Sequence, residues 1–145
     1  MFQKLLVVCT GNICRSPVAE AMLKRALPDR QIESAGLGAL VGEGVAPQAR
    51  VLAEADGLDV SAHKARQLSP VMTQRADLIL VMNERQRRAV GETDPAAMGK
   101  TLLLGRWLGP GMGTEVPDPY RKSDEAFQHV HELLKQATEA WAGKL

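Results

Sequence analysis

Short apolar runs alternate with amphipathic stretches along the chain. Residues 4–9 (KLLVVC) form a continuous apolar run closed by Thr-Gly, which predicts a strand buried on both faces of a parallel sheet. From Ser16 to Leu27 the apolar positions change to helical spacing: Val18, Ala19, Met22, Leu23, Ala26 and Leu27. Glu20 and Lys24 lie on the outward face as an i,i+4 pair. Pro28-Asp29 ends this helix, and Gln31 to Ala35 predicts a second strand stopped by Gly36. Residues 36–44 hold four glycines and read as a loop. Pro47 to Ala55 predicts a helix, with proline in its first turn and Gly57 past its end. Ala76 to Met82 is the clearest strand, Asn83 to Val90 a charged helix, and Lys100 to Leu104 a fourth strand. Residues 105–119 are rich in glycine and proline and read as a long loop. Ser123 to Trp141 closes the pattern as a helix, with Ser123 as N-cap and Asp124 and Glu125 in the first turn.

This alternation implies an α/β fold with a mostly parallel sheet and right-handed crossovers. Ligands of such sheets bind beyond the carboxyl ends of the strands, so the segments after Val8, Ser34, Met82 and Leu104 are the places to look for chemistry. There is no repeat and no linker, and 145 residues fit a single domain, 1–145.

Composition narrows the function. A hydrophobic content of 45% over this length builds a core without a disulfide or metal staple. The net charge of +1 argues against a nucleic-acid partner. The longest strictly apolar runs, Leu5 to Cys9 and Leu78 to Met82, are too short for membrane insertion or for a signal-peptide core, so the expected location is cytoplasmic. The two cysteines, Cys9 and Cys14, make neither a disulfide framework nor a four-ligand zinc site, so no metal and no cofactor is expected. In a reducing compartment a pair this close is either buried packing or chemistry.

The loop after the first strand reads Cys9-Thr10-Gly11-Asn12-Ile13-Cys14-Arg15-Ser16. A short loop running into a helix N-terminus turns several backbone N–H groups toward one point and makes a nest for an anion. Gly11 is expected to supply a conformation that a β-carbon resists, and Asn12 is the next most tolerant residue of a left-handed position. Arg15 adds a planar fork matched to two phosphate oxygens. The amides, the helix dipole and Arg15 all favour the thiolate of Cys9 at the base of the ring. A bare C-x5-R spacing occurs by chance. Here it stands between a strand and a helix, with Gly-Asn inside and Ser directly after the arginine.

A second group is Asp118 between Pro117 and Pro119, which hold it in an extended, stiff segment. Pro-Asp-Pro is also ordinary turn chemistry. Residues 94–101 (DPAAMGKT) nearly match a nucleotide-binding P-loop, but begin with aspartate and run into a strand instead of leaving one. Arg85, Arg87 and Arg88 read as a solvated helix face. His129 and His131 read as surface residues on or beside the solvent side of the last helix.

CTGNICRSP near the start of the chain resembles the low-molecular-weight protein-tyrosine phosphatases. The resemblance spans the chain through Ser34-Ala35-Gly36, residues 63–67 (HKARQ) and Asp118-Pro119-Tyr120. SAGLGALVG and VPDPYRKS are most similar to the bacterial members tied to capsule and exopolysaccharide synthesis. It implies a flavodoxin-like or Rossmann-like four-stranded parallel sheet of order 2-1-3-4 flanked by helices. It also implies a phosphocysteine intermediate, with Cys9 as nucleophile, Arg15 and the loop Thr10, Gly11, Asn12, Ile13, Cys14 and Ser16 as phosphate cradle, and Asp118 as general acid.

By the same resemblance Ser34 and His63 brace the loop with Asn12 and Ser16, and Cys14 guards Cys9 through a reversible disulfide. The cleft walls carry Leu40 and Tyr120, with Ile13 as an apolar rim residue and Arg121 where many eukaryotic members have a second tyrosine. The implied partner is a phosphotyrosine protein, a bacterial tyrosine autokinase, with phosphate and other oxyanions as ligands or inhibitors. Two alternatives share the loop. An arsenate reductase needs cysteines downstream of Cys14, and the chain has none. A non-catalytic phosphotyrosine-binding module has no need of Asp118 beside Cys9 and Arg15.

Overall fold

The strand β1 (Lys4–Cys9) lies at the centre of the computed structural model, which describes residues 2–145. It pairs in parallel with β2 (Gln31–Gly36) on one side and with β3 (Leu78–Val81) on the other. The short β4 (Thr101–Leu103) completes a parallel sheet of order β2-β1-β3-β4. Leu5 to Cys9 are all buried, as a central strand covered on both faces demands.

Helix α1 (Arg15–Ala26) packs with α2 (Pro47–Ala55) and α5 (Asp124–Ala142) over one face. There Leu5, Val7, Met22, Leu23, Leu80, Phe127, Leu134 and Trp141 make the larger core. The other face, Leu6, Val8, Ile79 and Val81, is closed by α3 (Pro70–Arg75), α4 (Glu84–Thr93) and a 3₁₀ turn at Pro95–Lys100. Alternate β1 side chains therefore feed two separate cores, and the crossovers send the chain from one face to the other.

The strand order matches the expectation, as do β1 and α2 residue for residue. The differences are local. Strand β2 runs through Gly36, and α1 opens at Arg15. Helix α4 continues three residues past Val90 to Thr93, where Asp94 caps the next turn by accepting from Ala96 N. Helix α3, capped by Ser69, lies in a stretch the apolar pattern left blank, because its six residues bury only Thr73. The predicted loop after β4 begins with a 3₁₀ turn at Leu104–Trp107. Gly105 allows a close approach there: a Cβ on it would lie 2.4 Å from Thr114 O.

Candidate active site

The carboxyl end of β1 opens into the loop 9–15, which feeds directly into α1. The carbonyls of residues 9–13 are all tied outward. Leu37, Gly38 and Leu40 donate their N–H groups to the oxygens of Cys9, Thr10 and Gly11 at 3.0, 2.9 and 3.1 Å. His63 Nε2 donates to Asn12 O at 2.7 Å, and Ala46 N to Ile13 O at 2.8 Å. Among the described residues, no backbone N–H from Gly11 to Arg15 donates to a protein acceptor. Helix α1 starts from Cys14 without a side-chain cap and with no acid in its first turn. A ring with its carbonyls bound outside and its amides left over is an anion nest set on a helix N-terminus.

Asn12 holds the ring in shape. Its φ of 57° lies in the left-handed region that asparagine tolerates. The glycine beside it does not share that conformation: Gly11 is outside the left-handed region, and a Cβ there would meet only Ile13 Cγ1, at 3.6 Å. The expectation for Gly11 is thus corrected. Asn12, fully buried, uses its side chain in three directions. Nδ2 donates to Ser16 Oγ at 2.7 Å and to Ser34 Oγ at 3.0 Å, and Oδ1 accepts from Arg66 N at 3.0 Å. Ser34 in turn donates to Glu20 Oε1. Ser16 Oγ lies 2.9 Å from Cys9 Sγ. Because Ser16 accepts from Asn12, its own proton is free for the sulfur.

Arg15 is buried at 2% exposure and enters the ring from the helix side. Nη1 donates to Val116 O at 2.8 Å, and Nη2 lies 3.7 Å from Asp118 Oδ2. Val116 N is held by Met82 O at 2.9 Å, so the end of β3 also fixes the segment carrying Asp118. Asp118 is half exposed at the mouth, and its Oδ1 accepts from Tyr120 N at 3.0 Å. Cys9, Thr10, Gly11, Ile13, Cys14, Arg15, Gly38, Leu40, Asp118 and Tyr120 line one cavity of about 140 Å³. Cys9 and Arg15 form its buried end; Leu40 and Tyr120 are its exposed apolar walls.

A family model for low molecular weight phosphotyrosine protein phosphatases matches residues 4–145. The chain belongs to this family. Over its full length it is 47% identical to the low molecular weight protein-tyrosine-phosphatase Wzb of Salmonella typhimurium, covering 95% of that protein. It is 43% identical to the probable low molecular weight protein-tyrosine-phosphatase AmsI of Erwinia amylovora, again over its full length, covering 99% of it. The crystal structure of Wzb from Escherichia coli K30 in complex with sulphate superposes with a TM-score of 0.95 at 45% identity, with 99% of each chain covered.

In this phosphatase Cys14 is buried, and its thiol is pushed up to about 12. Burial is the largest cause, followed by the charges of Cys9 and Asp118, with Arg15 acting in the opposite sense. At neutral pH Cys14 is therefore a thiol beside Cys9.

Several contributors were given no part in the site by the sequence. Gly36 is one: a Cβ there would sit 2.5 Å from Thr10 O and 3.1 Å from Asn12 Cβ, so only glycine lets β2 run against the loop. Gln86, buried on α4, accepts from Met82 N at 2.8 Å and donates to Thr10 Oγ1 at 3.2 Å. Arg66 joins Asn12 through its backbone and the carbonyl of Ser34 through Nε, at 3.0 Å each.

Two expectations need correction. Glu20 does pair with Lys24 at 2.6 Å, but its other oxygen turns inward to Ser34. His131 is not a surface residue; its side chain is 12% exposed and paired with Asp56. A larger hollow of about 460 Å³ borders the bracing network at Glu20 and His63, but Cys9, Arg15 and Asp118 are not among its walls.

Proposed function

We propose that this phosphatase hydrolyses phosphotyrosine through a phosphocysteine intermediate formed on Cys9. The observation that carries the reading is the loop itself: carbonyls bound outward, amides left over, and a buried sulfur at its base. The Cys9 thiolate, receiving the Ser16 proton as a hydrogen bond, attacks phosphorus in line. A phosphorus–sulfur bond forms while the bond to the tyrosine oxygen breaks. Asp118 gives its proton to the departing oxygen. Asp118 then takes a proton from water as the water attacks phosphorus; the phosphorus–sulfur bond breaks, and phosphate leaves. Arg15 and the loop amides hold the equatorial oxygens throughout.

Ser34 and His63 act at one remove, by fixing the loop through Asn12. A slot walled by Leu40 and Tyr120, with Cys9 at its buried end, favours the longer reach of a phosphotyrosine over that of a phosphoserine. Peroxide converts the Cys9 thiolate to a sulfenic acid. Cys14 then condenses with it, forming the sulfur–sulfur bond and releasing water.

We place the reaction in the cytoplasm, on a tyrosine autokinase governing capsule or exopolysaccharide synthesis, with residues 1–145 as one catalytic domain. The relatives named protein-tyrosine-phosphatases support the substrate class. Among the described residues no helix is long and apolar enough to cross a membrane.

The decisive experiment offers a phosphorylated autokinase tail beside phosphoserine peptides. Phosphate release from the first and not the second is expected, and equal rates would overturn the tyrosine reading. Cys9→Ser should bind phosphate and turn over nothing; hydrolysis of an aryl phosphate by that variant would remove Cys9 as nucleophile.

A further inference from the structure

After Pro119 the chain reverses, with Lys122 N donating to Pro119 O at 2.9 Å. The third residue of this turn, Arg121, has φ 61°, while Tyr120 before it is outside the left-handed region. A positive φ at that position alone is type II geometry, where glycine or asparagine is the unstrained choice. Among the described residues only Asn12 and Arg121 adopt a positive φ without being glycine. Asn12 is explained by its three side-chain hydrogen bonds. Arg121 has no such local bond to offset the strain, so a reason for arginine at this position lies outside the turn.

Arg121 is exposed, and among the described residues it makes no ion pair and no side-chain hydrogen bond. Its Cζ lies 5.2 Å from the centroid of the Tyr120 ring, and Tyr120 is a wall of the cleft. An aromatic face holds a guanidinium without occupying its N–H donors. Arg121 does not itself line the cavity; the cation sits beside the mouth, on the Tyr120 ring, with its hydrogen-bonding edge free. The mouth also carries the half-exposed side chain of Asp118, which holds its proton when the proposed reaction begins and so offers no charge to an acidic neighbour of the phosphotyrosine. Arg121, three residues further on, is the charge that such a neighbour can meet.

We propose that Arg121 is a specificity residue that recognises an anionic group, a carboxylate or a second phosphate, on the residue flanking the phosphotyrosine. The proposal rests on the cleft being the phosphotyrosine site.

Peptides of one sequence, differing only beside the phosphotyrosine, test it. The flank before or after is glutamine, glutamate or phosphoserine, and kcat/KM is measured at low and high ionic strength. Expected preferences over glutamine are about threefold to fivefold for glutamate and about tenfold for phosphoserine, both shrinking with salt. The glutamate and phosphoserine arms separate the two sources of charge.

Each preference is taken as a ratio within one variant, so changes in basal turnover cancel. Arg121→Gly removes the guanidinium and relieves the turn, so it folds, and its ratios should fall to about one. Arg121→Lys should retain part of the preference, and Arg121→Glu should reverse it. A flat ratio in the wild type, or a preference that survives in Arg121→Gly, would overturn the role of Arg121 alone. No turnover of any peptide or of an aryl phosphate by the wild type would overturn the phosphatase reading and this proposal with it.

Discussion

The Nη1 of Arg15 donates to the carbonyl oxygen of Val116 at 2.8 Å, joining residues 101 apart in the chain. Val116 is itself fully buried and anchored to Met82. The loop 9–15 and the segment carrying Asp118 are therefore set against each other by one guanidinium.

Arg15→Lys tests that arrangement. A lysine keeps the charge but cannot bond Val116 and span two phosphate oxygens at once. The expected loss in kcat/KM on an aryl phosphate is about 100-fold or more. A variant within tenfold of the wild type would show that charge alone suffices.

Asp118→Asn should separate substrates by leaving group. Phenyl phosphate, whose oxygen needs a proton, should lose about 100-fold or more in kcat. Nitrophenyl phosphate, whose phenolate leaves unaided, should lose much less. Equal losses on both would assign Asp118 to binding instead of proton transfer.

Asn12→Ala removes three buried hydrogen bonds and leaves a β-branched-free but strained residue at φ 57°. The expected cost is about 2–4 kcal/mol, read as a lower Tm together with weaker phosphate binding. Asn12→Gly loses the same bonds but accepts the backbone, so it should be more stable than the alanine variant by about 1 kcal/mol. Equal melting of the two would mean that the strain is negligible.

The pair Asp56 and His131 ties α5 to the segment after α2. The hydrogen bond from His131 holds the Asp56 carboxyl below its usual range, with Lys135 and Arg25 adding to the effect and burial opposing it. A carboxyl depressed in the folded state stabilises above its unfolded value of about 3.9 and loses that contribution as pH falls through the lower folded value. Asp56→Asn should therefore be less stable than the wild type at neutral pH, by about 1 kcal/mol or less. The gap should begin to narrow at about pH 4 and close only as pH falls through the lower folded value. Urea melts across that range check the sign; a gap that widens in acid would be contrary to it.

Cys14, held as a thiol, should resist alkylation by iodoacetamide at neutral pH, whereas Cys9 should react and be protected by phosphate. Peroxide followed by reductant should restore activity in the wild type. In Cys14→Ser it should not, because the sulfenic acid on Cys9 then has no neighbouring sulfur to condense with. Full recovery of that variant would leave Cys14 as packing.

The sheet could be read from the chain because its central strands are unbroken apolar runs, Leu5–Cys9 and Leu78–Val81, which tolerate few alternatives. The nest formed by residues 9–15 could be read because its residues are contiguous. What escaped was held by distance. Gly36 looked like a strand stop, yet its lack of a Cβ matters only against Thr10 O, on a neighbouring segment. Gln86 sat in a charged helix and gave no sign that its amide reaches Thr10. His131 is polar on an amphipathic helix, and nothing local revealed that Asp56 would cover it. Helix α3 was too short and too exposed to leave a period.

The outward-bound carbonyls of residues 9–13 carry a consequence for inhibition. A ring fastened from outside at five points has little freedom left to lose, so phosphate, sulfate or vanadate meets a rigid mould and should gain affinity from that rigidity. The same rigidity should make the mould a poor target for selectivity, since any tetrahedral oxyanion would be expected to satisfy it. Compounds that discriminate this phosphatase from its relatives will have to take their selectivity from the rim, where Leu40 and Tyr120 stand, with Arg121 stacked on the latter.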